Sequence, residues 1–299
     1  RLQPSDPEVG RPPPCLLTQP MTDNSVNDSA KMIAYERALE SGRPDALFQD
    51  PFAKAMAGPK GEMLSEAFGA NCSYFGLDGW PEFHKMWTAV RTRFIDDCIA
   101  EHAATGRFPQ LVNLGAGLDT RAYRLECYKS FANGSFEVDM ETVNAGKAKV
   151  FRDCLGEPSP RCGQVHNVSL DFLDEERTLA TELAALPAFE AGRPTVFVSE
   201  GLIMYLGAVG KLKLIRDVSA VAAPGSVLIL QYLDSSESET GALDHALSAE
   251  EATRELTGHG WEQLAFSRFG DERLNFGRFL TDRFKPTCTF SFVVCVKSA

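Results

Sequence analysis

Three acidic residues stand where apolar runs of this chain end, a placement that suits polar recognition better than surface charge. Asp139 closes Phe136-Glu-Val-Asp139, Asp171 follows Val168-Ser-Leu170, and Glu200 follows Val196-Phe-Val-Ser199. Asp139 lies roughly 20 residues beyond the turn Gly115-Ala116-Gly117, the spacing at which an acid can take both hydroxyls of a ribose. The structural alternative is an N-cap for the helix that follows. Asp171 and the adjacent Phe172 offer an acceptor for an adenine amino group and a ring to pack on it. Asp174 suits the N-terminus of the next helix instead. Glu200, between Ser199 and the apolar Leu202-Ile-Met-Tyr205, is costly to bury unless paired, and a sulfonium or ammonium group would pair it. Hydrogen bonds from loop N–H groups are its structural alternative. Arg91 and Arg93, in Val90-Arg-Thr-Arg93, could fork onto a ligand carboxylate. At i and i+2 they point apart, so one of them serves, and Arg91 is the choice, with Asp96 and Asp97 as surface partners for either.

The elements that must hold these groups begin at Leu111-Val-Asn-Leu-Gly-Ala-Gly-Leu-Asp-Thr-Arg121. A short apolar run stops at the glycines and a helical pattern follows, which brings backbone N–H groups close to a small ligand. Thr120 occupies the third-glycine position of a dinucleotide fingerprint, which argues for a different nucleoside cofactor. From Ser29 to His102 the pattern is helical: Lys31–Leu39, a helix starting at Asp50-Pro51, and a long one over Trp80–Ala104. The rings Phe75, Trp80, Phe83 and Trp87 are expected in its core. Strands are expected at Gln110–Leu114, Ser135–Val138, Gln164–Leu170, Pro194–Ser199 and Ser226–Leu233. Helices alternate with them at Asp119–Glu126, Glu141–Leu155, Glu175–Leu186 and Gly210–Ala222, which implies a parallel sheet with right-handed crossovers. The tail changes to a helix at Ala249–Gly258 and strands at Trp261–Phe269 and Phe290–Lys297. With no helix between them, those two strands suggest an antiparallel edge.

Composition narrows the function classes. A net charge of −11 over 299 residues disfavours a nucleic-acid-coating surface. No apolar stretch approaches the roughly 20 residues needed to span a bilayer. No secretory signal pattern is visible, so cytoplasmic location is the expectation. The eight cysteines form no C-x-x-C pair, which excludes zinc-ribbon and thioredoxin-like readings and leaves reduced thiols. No metal site is expected. Residues 1–28 read as a disordered leader or extension, with Met21 a natural start; 29–106 as a helical lid and substrate region; and 107–299 as the cofactor-binding domain.

Five segments then come in order: Arg91-Thr-Arg93, Asn113-Leu-Gly-Ala-Gly-Leu-Asp-Thr-Arg121, Phe136-Glu-Val-Asp139, Asp171-Phe172 and Ser199-Glu-Gly-Leu-Ile-Met-Tyr205. Together they resemble the leucine carboxyl methyltransferase-like family of S-adenosyl-L-methionine-dependent methyltransferases, which includes polyketide O-methyltransferases. The resemblance spans about residues 29–297. It implies a class I methyltransferase fold: a Rossmann-like, doubly wound α/β sheet, mostly parallel with an antiparallel C-terminal edge, plus an N-terminal helical lid. It implies S-adenosyl-L-methionine as cofactor, with S-adenosyl-L-homocysteine as product. Gly115, Ala116 and Gly117 would back the methionine portion and Arg91 hold its carboxylate. Asp139 with Met140 would take the ribose, Asp171 and Phe172 the adenine, and Glu200 the amino-acid end. Lys31 matches a cofactor-contacting lysine of the family. The lid and late-chain segments differ from those of protein-phosphatase methylating members.

The implied reaction is displacement at a sulfonium methyl by an oxygen of a small molecule or peptide end, in which the protein supplies alignment and desolvation. A carboxylate acceptor needs no base; a hydroxyl would benefit from one. Among the five histidines, His245, after the fifth strand, could reach an acceptor, and Tyr205 is a candidate pocket residue. The alternatives are a binding protein that keeps the fold without turnover and an NAD-dependent oxidoreductase. Whether the protein is a monomer or a homodimer stays open.

Overall fold

Residue alternation along the strands sorts the core into two layers, one on each face of a single sheet. In the computed structural model, which describes residues 23–70, 82–234, 246–278 and 289–299, three helices lead: α1 (Asp23–Ser41), α2 (Ala53–Ala70) and α3 (Phe83–Ala104). Then come β1 (Gln110–Leu114), α4 (Arg121–Arg124), β2 (Gly134–Asp139), α5 (Glu141–Cys154), β3 (Val165–Ser169) and α6 (Leu179–Ala184). They are followed by β4 (Thr195–Ser199), α7 (Gly207–Val221), β5 (Val227–Asp234), α8 (Ala249–Gly258), β6 (Trp261–Arg268) and β7 (Thr289–Lys297).

The seven strands run in the order β3-β2-β1-β4-β5-β7-β6. The first five pair in parallel, and β7 lies antiparallel to both β5 and β6. This is the doubly wound sheet with an antiparallel C-terminal edge that the family resemblance implies.

On one face Leu111, Val196, Val198, Val227, Ile229, Phe292 and Val294 meet Trp87, Val90, Ile95 and Ile99 of α3. On the other, Val112, Leu114, Phe136, Val138, Phe197, Leu228 and Leu230 meet apolar residues of α6, α7 and α8, among them Leu183, Ile215, Val218 and Leu256. The period of 2 in the strands thus feeds both layers at once. A smaller cluster, with Ala34, Met56, Ala57, Leu118 and Phe151, ties α1 and α2 to α5.

Register positions the chemistry. Leu114 of β1 lies opposite Val138 of β2 and Ser199 of β4, so Gly115, Asp139 and Glu200 emerge side by side at the carboxyl ends of the strands. Asp139 in turn lies opposite Ser169 of β3, which places Asp171 next along the same edge.

Several expectations are corrected. The helix after the glycine turn is one turn long, Arg121–Arg124, followed by a 3-10 turn over Glu126–Ser130 instead of continuing to Glu126. α1 starts at Asp23, inside the stretch read as leader. α2 breaks at Gly58-Pro59, where Gly58 takes φ 58° and Pro59 has no N–H to give. The helix predicted from Glu175 begins at Leu179, because Thr178, with Thr181, forms the capping box there. Asp174 instead accepts the N–H groups of Glu176 and Arg177 in the preceding turn. Phe83 and Trp87 are buried as expected; Phe75 and Trp80 lie outside the described residues.

Candidate active site

A cavity of about 250 Å³ opens where the carboxyl ends of β1, β2, β3 and β4 meet α1 and α3. Of the predicted site residues, Arg91, Gly115, Ala116, Gly117, Asp139, Met140, Asp171, Phe172, Glu200 and Tyr205 line it. Lys31 does not: its side chain projects outward, 3.7 Å from Asp28. Arg93 also points away, with its Nε donating to both carboxylate oxygens of Asp97. His245 lies outside the described residues.

The glycine turn works differently from the expectation. Gly115 N–H and Ala116 N–H both donate to Val138 O, at 2.8 and 3.1 Å, and Gly117 N–H donates to Asp139 Oδ2 at 2.7 Å. These donors fasten the loop to β2 instead of facing a ligand. Gly115 is required on two counts, a φ of 64° and Leu202 Cδ1 only 2.9 Å from where a Cβ would sit. A loop whose N–H groups are used internally, followed by a single helical turn, is poorly built to cradle phosphates. The result disfavours a dinucleotide and suits a nucleoside ligand without phosphate.

Asp139 is buried, and burial pushes its carboxyl upward against the lowering effect of the Gly117 and Met140 N–H groups. Its Oδ1 accepts from Met140 N–H at 2.8 Å. It does not cap the following helix, whose N-cap is Met140. Each of its oxygens has accepted one N–H and retains a lone pair for a ribose hydroxyl. Asp171 Oδ1 accepts from Leu173 N–H at 2.8 Å, which shapes the turn that sets Phe172 into the wall.

Glu200 is not bare. Its Oε2 accepts from Arg121 Nη1 at 2.6 Å, and its Oε1 lies 2.6 Å from Arg91 Nε. The Arg91 contact is an ion pair whose direction does not make a hydrogen bond, so the buried Nε–H keeps its hydrogen-bonding capacity. Arg121 was not among the predicted residues, although it closes the very segment that carries the glycines. Its Nε donates to Asp96 Oδ1 and its Nη1 to Asp119 Oδ2, both at 2.6 Å. Arg124 adds two more bonds to Asp96. Asp96, read as a local surface partner for α3 arginines, thus serves Arg121 and Arg124 at long range. Three guanidiniums and three carboxylates balance behind the cavity wall. Burial alone would raise Glu200, but the Arg121 and Arg91 charges outweigh it and hold the carboxyl below its usual range. Burial likewise works against Asp119, whose carboxyl Arg121 holds well below the usual range.

A consequence for stability follows from the signs. Glu36, Asp50, Asp119 and Glu200 all titrate lower in the fold than in the open chain. Groups with depressed values contribute stability above their unfolded values, about pH 4, and lose it as pH falls toward the folded ones. Glu137 and Asp139 are shifted upward and oppose this in part. The denaturant midpoint is therefore expected to fall steeply between about pH 5 and pH 3; an equal midpoint at pH 6 and pH 3 would contradict the network.

The arrangement fits S-adenosyl-L-methionine on its own donor set. Arg91 and the Glu200 carboxylate, both lining the cavity, form adjacent opposite charges that complement an α-amino-acid group. Asp139 suits a diol, and Asp171 with Phe172 suits a purine.

These features define the carboxyl-edge site of a class I methyltransferase fold. A family model, leucine carboxyl methyltransferase, matches residues 30–219. The chain belongs to that family, and with it to the S-adenosyl-L-methionine-dependent methyltransferases. A Parafrankia sp. (strain EAN1pec) protein bearing that functional name is 37% identical over 210 residues, covering 69% of this chain and 63% of the relative. The chain thus spans somewhat less than two thirds of that protein's length. A relative from Mycolicibacterium gilvum, similarly named, is 35% identical over 235 residues, covering 75% of this chain and 72% of its own. In fold, the chain resembles a DUF574 family protein from Streptomyces avermitilis, with a TM-score of 0.58 at 14% identity, covering 90% of this chain and 97% of that one. A methyltransferase-like structure from Thermobifida fusca gives a TM-score of 0.54 at 15% identity, covering 81% and 89%.

Proposed function

We propose that the chain transfers a methyl group from S-adenosyl-L-methionine to an oxygen of a small molecule. The observation that carries this reading is the line of complementary groups along one sheet edge: Arg91 and Glu200 for the amino-acid end, Asp139 for the ribose, and Asp171 with Phe172 for the adenine. When bound, that cofactor supplies an activated methyl on sulfur, so the chain's own task is binding, alignment and exclusion of water.

The helices α1, α2 and α3 form the lid in this reading, over the acceptor half of the cavity. Met32 and Ile33 of α1, Phe68 of α2, Trp87 of α3 and Phe290 of β7 line that half. Tyr205 and Ser29 share a hydrogen bond of 2.9 Å that joins the mouth of the sheet to α1. The lid boundary at residue 106 and the division into two functional regions belong to the same reading. No helix among the described residues is long and apolar enough to cross a membrane, and the acceptor is taken to be a dissolved compound.

Titration calorimetry with S-adenosyl-L-methionine, S-adenosyl-L-homocysteine and NAD tests the reading. Micromolar binding of the first two, about −8 kcal/mol, with none for NAD, is the expected result. Binding of NAD alone, or of none of the three by a folded protein, would overturn it.

Asp139 gives a sharper test. Asp139→Asn keeps an oxygen for only one of the Gly117 and Met140 N–H groups, sets an amide NH2 against the other, and loses the charge that strengthens hydrogen bonds to hydroxyls. Binding of S-adenosyl-L-homocysteine should weaken by about 1–3 kcal/mol. Unchanged affinity would remove Asp139 from the ribose role.

A further inference from the structure

His84 is a cavity-lining residue that the functions assigned so far leave without a task. It stands in the first turn of α3, is only 7% exposed and faces the apolar half of the cavity. Its Nδ1 lies 2.8 Å from Glu36 Oε2 of α1. Glu36 is 1% exposed. It also accepts from Thr88 Oγ1 at 2.5 Å and from Ser65 Oγ of α2 at 2.8 Å. Three helices thus converge on one carboxylate whose visible purpose is to hold an imidazole edge. Burial works to raise the Glu36 carboxyl, and His84, Thr88 and Ser65 outweigh it and hold it below the usual range. Nδ1 faces a carboxylate, which only accepts, so in its neutral form the ring carries its proton on Nδ1 and leaves a lone pair on Nε2. Nε2 makes no hydrogen bond among the described residues.

We propose that His84 is the general base of this enzyme and that its acceptor is a neutral hydroxyl on an apolar, ring-bearing compound. The inference rests on the methyl-transfer reading above and deepens it. As the acceptor oxygen bonds to the methyl carbon, the carbon–sulfur bond breaks and its electron pair stays on sulfur. The hydroxyl proton passes to His84 Nε2, and the resulting imidazolium is stabilised by Glu36 until it releases that proton to solvent. Glu36 acts through the ring and is a positioning residue. The walls agree with a neutral acceptor: Phe68 packs 4.4 Å from the imidazole between ring centroids, and Met32, Trp87 and Phe290 complete an apolar surround. The arginines that line the cavity have other tasks: Arg37 pairs with Asp50, Arg121 with Glu200, and Arg91 is the one assigned to the cofactor's carboxylate. A carboxylate acceptor would need neither a base nor this surround.

The charged group against the ring is Glu36 from α1. α2 brings Phe68 and the Ser65 hydroxyl, and α3 brings Thr88. Lys85, next along α3, pairs with Glu82 at 3.0 Å.

The test uses the full chain, with 1-naphthol and 1-naphthoic acid as matched probes. His84→Asn is the informative variant, because an Asn amide can still donate to Glu36 while Nε2 is gone. Its unfolding midpoint and its affinity for S-adenosyl-L-homocysteine, by calorimetry, should stay within about twofold of wild type in Kd, while kcat for 1-naphthol falls by about 10²–10⁴-fold. The acid limb of the wild-type kcat–pH profile should vanish with it. Nitrogen-15 NMR of the imidazole should show the Nδ1–H form in wild type, perturbed by 1-naphthol in the presence of S-adenosyl-L-homocysteine. An Nε2–H ring, a ring that does not respond to 1-naphthol, preference for 1-naphthoic acid, or wild-type turnover in His84→Asn would each overturn the proposal. Failure of S-adenosyl-L-homocysteine to bind wild type would instead overturn the underlying cofactor reading, and calorimetry registers it separately.

Discussion

Arg121→Met is expected to lose about 3–5 kcal/mol of folding stability, because removing one partner leaves buried charge uncompensated. Arg121 is 4% exposed and donates to Asp96, Asp119 and Glu200 at once. Among the described residues Arg121 is the ion-pair partner of Asp119, on which Lys147 and Arg37 act from further off, whereas Glu200 keeps Arg91 and Asp96 keeps Arg124. Lysine would not rescue the site, since a single ammonium cannot span three carboxylates in different directions. The urea midpoint of the variant measures the effect. A loss under about 1 kcal/mol, the scale of an exposed ion pair, would mean that the network is far wetter than its burial indicates.

Arg91→Met should behave in the opposite way, with a large loss of affinity and a small loss of stability. Its single charged partner in the network is Glu200, which keeps its bond to Arg121. The fold therefore retains a compensated carboxylate. What disappears is the cation assigned to the cofactor's carboxylate, a charge-assisted contact worth about 1.5–3 kcal/mol, or roughly tenfold to a hundredfold in Kd. Calorimetric titration with S-adenosyl-L-homocysteine checks it. Wild-type affinity in Arg91→Met would remove Arg91 from the binding role, and a collapse of the urea midpoint would show that its task is structural. The two arginines touch the same glutamate, so their contrast separates the wall of the site from its contact surface. It also sets what Glu200→Gln should do. A carboxylate held by two guanidiniums cannot be neutralised without weakening the fold, so that variant is expected to lose stability as well as affinity.

Much of this was legible in the residues because it depends on local periodicity. The alternating strands and helices follow from a period of 2 against 3.6, and each strand lies within a residue or so of its expected bounds. The carboxyl-edge position of Asp139, Asp171 and Glu200 follows from strand ends alone, and parallel pairing then aligns them. The glycine turn was legible as a turn. Its hydrogen bonding was not, because whether Gly115 and Gly117 face a ligand or Val138 and Asp139 depends on how β1 sits against β2.

What the sequence by itself determined is the fold class, the parallel strands with an antiparallel edge, the family and most of the groups that meet at one sheet edge. These rest on patterns within about 20 residues, or on motifs in a fixed order. Only the tertiary structure decided how those groups pair. Arg121 became the hub of the wall because α3, α4 and the turn after β4 converge there, bringing Asp96 and Glu200 together from distant parts of the chain. His84 acquired its candidate role in the same way, since Glu36 and Ser65 reach it from two other helices. Buried charges must find partners wherever the packing puts them, and that choice is made in space and not along the chain.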